Sequence, residues 1–214
     1  MSERPSETAP EDPDYHKHGG FPEYELADPP PGFARFLSAM RRLQDLAVSA
    51  NPSEDDWETA ADGVDGLIDL LAPTESPEGV PPAGRSPKLP GMGSLLMPPW
   101  MLTQYAPDGV ELRGQFSRYH VGGNMAVHGG VLPMVFDWLF GMVIHAVGRP
   151  ISRTAFLHVD YRKVTPINTP LVARGRLDSI DGRKAFVSGA LTDADGALLA
   201  EGTGLMVQLL PGQP

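Results

Sequence analysis

Between Gly129 and Val147 the chain runs for 19 residues in which only Asp137 and His145 interrupt a nearly continuous apolar series. Length alone invites a membrane-spanning reading. The two polar interruptions and the strand patterns that flank the run closely exclude it. What remains is a helix apolar on all its faces, buried at the centre of a domain. Pro133 suits the first turn of such a helix, where backbone N–H groups lack intrahelical partners.

Strand patterns surround it. Two precede the run, near Leu95–Tyr105 and Val110–Ser117, separated by a turn at Pro107-Asp108-Gly109. A Gly-rich stretch, Val121-Gly122-Gly123-Asn124, leads into the helix. Four strands are predicted after it, near Arg153–Tyr161, Leu171–Ser179, Arg183–Thr192 and Leu198–Gln208. Turns at Asp181-Gly182 and Asp195-Gly196 make the last three antiparallel hairpins. One helix among antiparallel strands is an α+β layout, and the sheet is expected to wrap around that helix.

The N-terminal part has a different character. The net charge of −10 is carried by residues 1–92, which hold 18 acids and 7 bases, whereas residues 93–214 hold 9 acids and 10 bases. Residues 1–31 read as a disordered acidic tail, in which His16 and His18 are solvated rather than metal ligands. Residues 32–72 read as a helical hairpin extension. Its first apolar face is Phe33, Phe36, Leu37, Met40 and Leu43; its second helix starts at Ser53 as N-cap and carries Trp57, Val64, Ile68 and Leu71. Such a hairpin is expected to pack as a flap on the body, with a separate binding module as the less favoured reading. Residues 73–92 form a Pro-rich linker and residues 93–210 the body.

Several function classes fall away. An acidic chain argues against a general nucleic-acid binder. The absence of cysteine removes disulfide scaffolds, thiolate metal sites and cysteine nucleophiles. No spacing points to metal ligands, and Ser152 and Ser188 lack a nucleophile-elbow context. Met1-Ser2-Glu3-Arg4-Pro5 has no apolar core, so a cytoplasmic protein without stable membrane insertion is expected.

Two features carry chemistry. Asp137 is an isolated carboxylate among Val135, Phe136, Trp138, Leu139 and Phe140. An acid placed there is paired, exposed on a cleft or solvent-facing stripe, or held with a raised pKa. At the helix start, His128-Gly129-Gly130 offers backbone N–H groups that a ligand can approach closely. Such donors suit a carbonyl oxygen gaining negative charge, although a Gly-Gly pair also makes a plain tight turn. Nine residues separate His128 from Asp137, about 13 Å along a helix. One carbonyl cannot reach both, so a shared substrate requires Asp137 from a second, antiparallel copy of the chain.

These residues resemble the hotdog-fold acyl-CoA thioesterases, in particular the PaaI-type and THEM-type branches. The pattern is His128-Gly129-Gly130, an acid nine residues after the His, and Gly141 beyond it. Thr154-Ala155-Phe156-Leu157-His158-Val159-Asp160-Tyr161 with Pro166 is similar to the family's next strand, and Asp181-Gly182-Arg183-Lys184-Ala185-Phe186 to its Gly-Arg-Lys hairpin. Pro133 and a slightly longer connection to Thr154 depart from the pattern. The resemblance covers residues 93–210 and implies a hotdog fold, an antiparallel sheet wrapped around one long central helix, here with an N-terminal helical extension.

It further implies a thioester hydrolase that converts a fatty or aromatic acyl-CoA to free acid and CoA. The site would lie across a homodimer interface, with a tetramer as dimer of dimers also admitted. Asp137 would be general base or nucleophile. The amide of Gly129 or Gly130 would polarise the thioester carbonyl, His128 would shape the oxyanion side, and Thr154 would bond near the acid or the attacking water. Asn124, Arg162, Lys163, Arg183 and Lys184 are the substrate-binding candidates, the four cations because they sit at strand ends in a locally basic stretch. No cofactor or metal is implied, since the coenzyme A thioester is the substrate. The alternative is a non-catalytic acyl-CoA or acyl-carrier binding protein on the same fold. A hydratase is ranked last, because Asp137 and His145 do not match that family's pattern. His120 and His145 read as packing or interface residues, and His158 shares a strand face with Thr154, Phe156 and Asp160.

Overall fold

In the computed structural model, which describes residues 25–210, two helices come first. The His16-Lys17-His18 stretch and most of the acidic tail lie outside the described residues. Helix α1 (Pro31–Ala47) opens on a proline in its first turn and buries Leu37. It is fastened by Arg41, whose guanidinium donates to the carbonyls of Met97 at 3.1 Å, Pro90 at 3.3 Å and Ser94 at 2.7 Å. Helix α2 (Glu54–Leu71) starts where Ser53 Oγ accepts the Asp56 N–H, and three acids in its first turn suit the positive end of the helix dipole. No α2 residue is buried, and Trp57, Val64, Ile68 and Leu71 are exposed. Of the two helices expected to lie on the body as a flap, only α1 buries a side chain.

The strands follow: β1 (Met101–Ala106), β2 (Gly109–Gly114), the short β3 (Val121–Gly123) and β4 (Ala126–Val127), then helix α3 (Val131–Ala146) and strands β5 (Ser152–Tyr161), β6 (Leu171–Asp181), β7 (Lys184–Asp193) and β8 (Leu198–Gln208). β1 starts later than the apolar pattern predicts, because Pro98 and Pro99 cannot join the ladder. Six strands form one antiparallel sheet in the order β1-β2-β6-β7-β8-β5, and β3 pairs with β4 apart from it.

This order overturns the expected sheet wrapped around a central helix. The sheet is open: β1 and β5 are its two edges and do not pair with each other. Six strands span about 24 Å at about 4.8 Å per step. A helix with its side chains is only about 10–12 Å across. Helix α3 therefore lies on one face of the sheet and is not encircled.

What seats it there is close approach. Gly175 of β6 pairs with Gly189 of β7, which pairs with Gly202 of β8, a row without side chains across the sheet. A Cβ on Gly175 would lie 2.8 Å from Leu139, and one on Gly202 would lie 2.8 Å from the Phe136 ring. Leu132, Val135, Phe136, Leu139, Phe140, Val143 and Ile144 are buried against this floor. Burial of each is worth about 1.5–3 kcal/mol. The opposite side of α3 departs from the all-round apolar expectation: Asp137, Gly141 and His145 are exposed along one stripe, flanked by half-buried Met134, Trp138 and Met142.

Strand β5 contains a bulge. Thr154 pairs with Met206, but Phe156 pairs with Leu205, so Ala155 is the extra residue. Beyond it the faces exchange. Thr154 points with buried Met206 toward α3, whereas Phe156, His158 and Asp160 point to the outer face. This corrects the expectation that all four share one face.

Candidate active site

Strand β5 ties down α3 at two places. Thr154 Oγ1 donates to Asp137 Oδ1 at 2.6 Å. Seven residues further, the Tyr161 hydroxyl donates to the Gly129 carbonyl at 2.8 Å. Asp137 thus lies on the exposed stripe of α3, with a hydroxyl aligned on one carboxylate oxygen. The longer connection before β5 does not displace Thr154 from it.

The turn before α3 is equally defined. The Val131 N–H donates to the His128 carbonyl at 2.9 Å. The Gly130 N–H donates to His128 Nδ1 at 3.1 Å. That bond makes Nδ1 an acceptor, so a neutral His128 carries its proton on Nε2. It also separates the two glycine amides that the sequence leaves equivalent. Gly130 N–H is occupied within the turn, while Gly129 N–H has no hydrogen-bond partner among the described residues. A Cβ at Gly129 would only touch the Tyr161 ring at 3.7 Å, an ordinary contact, so packing does not demand glycine there. The His128 N–H donates in turn to the His120 carbonyl at 2.8 Å. Burial pushes the His120 imidazole below its usual range, in keeping with Nδ1 accepting the Ser117 N–H at 3.1 Å.

The remaining candidates separate in space. Asn124 has a left-handed backbone, φ 47°, in the two-residue turn between β3 and β4. Asparagine tolerates that conformation well, which accounts for the residue type without a ligand. Arg162 and Lys163 follow β5 at one end of the β5–β8 ladder; Arg183 and Lys184 lie by Gln208 at the other. Nine residues of strand, about 30 Å, lie between these ends. Within one chain the four cations do not converge on one phosphate. Arg162 is engaged besides, with its Nε 2.7 Å from Glu201 and its Nη2 3.2 Å from Asp160. Arg183 donates to the Gln208 carbonyl at 3.0 Å.

Sequence reading gives no site role to three further groups. His145 bonds to the Tyr105 hydroxyl at the far end of the α3 stripe. Glu111 is buried on the outer sheet face, where it meets Arg113, Arg174 and Thr103. Tyr161 is the third, hidden because strict alternation along β5 sets it on the face opposite Thr154. Two grooves of about 790 and 480 Å³ run along the outer sheet face, and neither includes Asp137, His128 or Thr154. Among the described residues no cluster of three His, Asp or Glu could hold a metal ion, and no helix is long and apolar enough to cross a membrane.

Residues 124–200 match the family model described as the thioesterase superfamily. Over 89 residues the chain is 36% identical to the acyl-coenzyme A thioesterase THEM4 of Rattus norvegicus, a match covering 41% of this chain and 38% of the relative. The THEM4 protein of Mus musculus is 34% identical over the same shares. The chain thus spans well under half the length of the curated relatives it matches. Among solved structures, protein RHA08564, a thioesterase superfamily protein, is 26% identical with a TM-score of 0.72, covering 86% of this chain and 100% of that one. A hypothetical thioesterase protein of Streptococcus pneumoniae TIGR4, solved with coenzyme A, shares the fold at 16% identity and a TM-score of 0.50, covering 52% of this chain and 90% of that one.

Proposed function

We propose, on the premise that this chain belongs to the thioesterase superfamily through residues 124–200, that it hydrolyses a fatty or aromatic acyl-CoA to the free acid and CoA. The observation that carries the reading is the Asp137–Thr154 bond at 2.6 Å: the single acid of an otherwise apolar helix is exposed and aimed by a hydroxyl. Asp137 accepts a proton from water as the water oxygen attacks the thioester carbon. The oxygen of the tetrahedral intermediate accepts from Gly129 N–H, with His128 Nε2–H beside it. Collapse breaks the C–S bond, and the thiolate of CoA leaves and takes up the proton held by Asp137, which returns to its carboxylate form. With Asp137 as nucleophile instead, its carboxylate displaces the CoA thiolate from the acyl carbon to form a mixed anhydride, which water then cleaves to the free acid and Asp137.

Gly129, in the turn before α3, and Asp137 within α3 stand about 12 Å apart along the helix direction. A homodimer supplies both to one substrate. Its support is the uncovered α3 stripe centred on Gly141, beside the unpaired edge of β5. We place the dimer there, with β5 edges meeting and α3 helices antiparallel. Half-buried Trp138 and Met142 then line the acyl side. A free-thiol release assay over short, long and aromatic acyl-CoAs tests the reading, with oligomeric state followed by light scattering. Asp137→Asn is expected to lower kcat by about 10²–10⁴-fold with the dimer intact. Full activity in that variant refutes the assignment of Asp137. Tight acyl-CoA binding without thiol release by the wild-type chain means a binding protein instead.

A further inference from the structure

We infer that Tyr161 is a positioning residue for the carbonyl-polarising turn: by holding the Gly129 carbonyl it fixes the 129–130 peptide plane and, through the Gly130 N–H, the His128 tautomer that leaves Nε2–H beside the free Gly129 amide. The inference rests on the proposed role of that turn. Two consecutive glycines have the widest conformational freedom a chain can have, so something outside them must choose their orientation. Each peptide plane here is held at identified atoms. In the 128–129 plane, the carbonyl accepts from Val131 N–H at 2.9 Å, and in a trans peptide this turns the Gly129 N–H the opposite way. In the 129–130 plane, the carbonyl accepts from the Tyr161 hydroxyl at 2.8 Å and from Leu132 N–H at 3.3 Å, while the N–H donates to His128 Nδ1 at 3.1 Å.

Of these tethers only Tyr161 comes from another element. Val131 and Leu132 N–H groups belong to the first turn of α3 itself, and His128 belongs to the turn. A flip of the 129–130 peptide would break the Tyr161 and His128 bonds together. Removing the phenol hydroxyl therefore lets the 129–130 peptide turn, which releases the Gly130 N–H and frees Nδ1 to take the proton. Tyr161 never needs to meet the substrate. It acts through the turn, as Thr154 acts on Asp137, and both are delivered to the α3 side by the bulge at Ala155.

The test uses the full chain labelled with 15N, read by NMR at about pH 8, where an ordinary imidazole is neutral. In the wild type, long-range proton–nitrogen correlations are expected to show His128 protonated on Nε2, and hydrogen exchange to show Gly130 protected at least about tenfold over Gly129. In Tyr161→Phe the two tautomers are expected to mix and Gly130 protection to fall about tenfold, with an unchanged urea midpoint. In the thiol-release assay kcat should fall about tenfold while KM stays within about twofold. Unchanged tautomer and exchange in Tyr161→Phe overturn the inference, and so does a kcat within about twofold of wild type. A wild-type Gly130 amide that exchanges as fast as Gly129 overturns it without any variant. The NMR readouts need no substrate. A wild-type chain that releases no thiol thus refutes the enzymatic reading alone, and leaves the tautomer and exchange data to decide the role of Tyr161.

Discussion

Glu111 shows how much a single side chain can tie together. Donation from Arg113, then from Thr103, together with the charge of Arg174, outweighs burial and lowers its carboxyl to about 2 from an ordinary 4.5. A depressed carboxyl adds stability that is complete above the unfolded pKa and lost as pH falls through the folded one. Urea midpoints of the wild type are expected to decline between pH 4.5 and about 2, a decline that Glu111→Gln flattens. At Thr154 the proposed function makes the consequence catalytic: Thr154→Val keeps the shape and removes the donor to Asp137. A loss in kcat of about tenfold, without a change in fold by circular dichroism, is the expected outcome. Asp137 and His128-Gly129-Gly130 are legible in the sequence because a lone acid and a glycine pair break the apolar run. Tyr161 is not legible, since the one-residue bulge at Ala155 inverts the alternation that assigns faces. Nor does sequence reveal that Arg162 is occupied by Glu201 and Asp160, because charge counts carry no geometry.

Among the elements, the helices were readable and the sheet's closure was not. The 19-residue run and the Ser53 cap mark α3 and α2 through local chemistry, whereas whether β1 meets β5 depends on partners far along the chain. Two glycines separate the kinds of space these elements offer. A Cβ at Gly66 in α2 meets nothing within 4 Å, so Gly66→Ala is expected to stabilise the helix by up to about 1 kcal/mol. At Gly202 the same change drives a methyl to 2.8 Å from the Phe136 ring, and a loss of about 1–3 kcal/mol is expected. Thermal midpoints should move in opposite directions. Arg41 fastens α1 with three carbonyl bonds, and Arg41→Ala is expected to lower the urea midpoint by about 2–3 kcal/mol equivalent, leaving α3 and its sheet in place.

At the scale of the whole molecule, charge and chemistry occupy different ground. Helix α2 holds seven acids and no base, and the net −10 belongs largely to that side of the chain. The α3 side, where Asp137 and the glycine turn lie, is apolar along most of the helix and polar at those points and at His145. The order of the strands adds a consequence for how the molecule is made. β8, the last strand among the described residues, sits between β7 and β5. A ribosome therefore finishes β5 long before the strand that will hold it exists, and neither tether of α3 can be drawn tight until Leu198–Gln208 has left the exit tunnel. The two tethers, at Asp137 and at Gly129, come into register together, in the one step that adds β8.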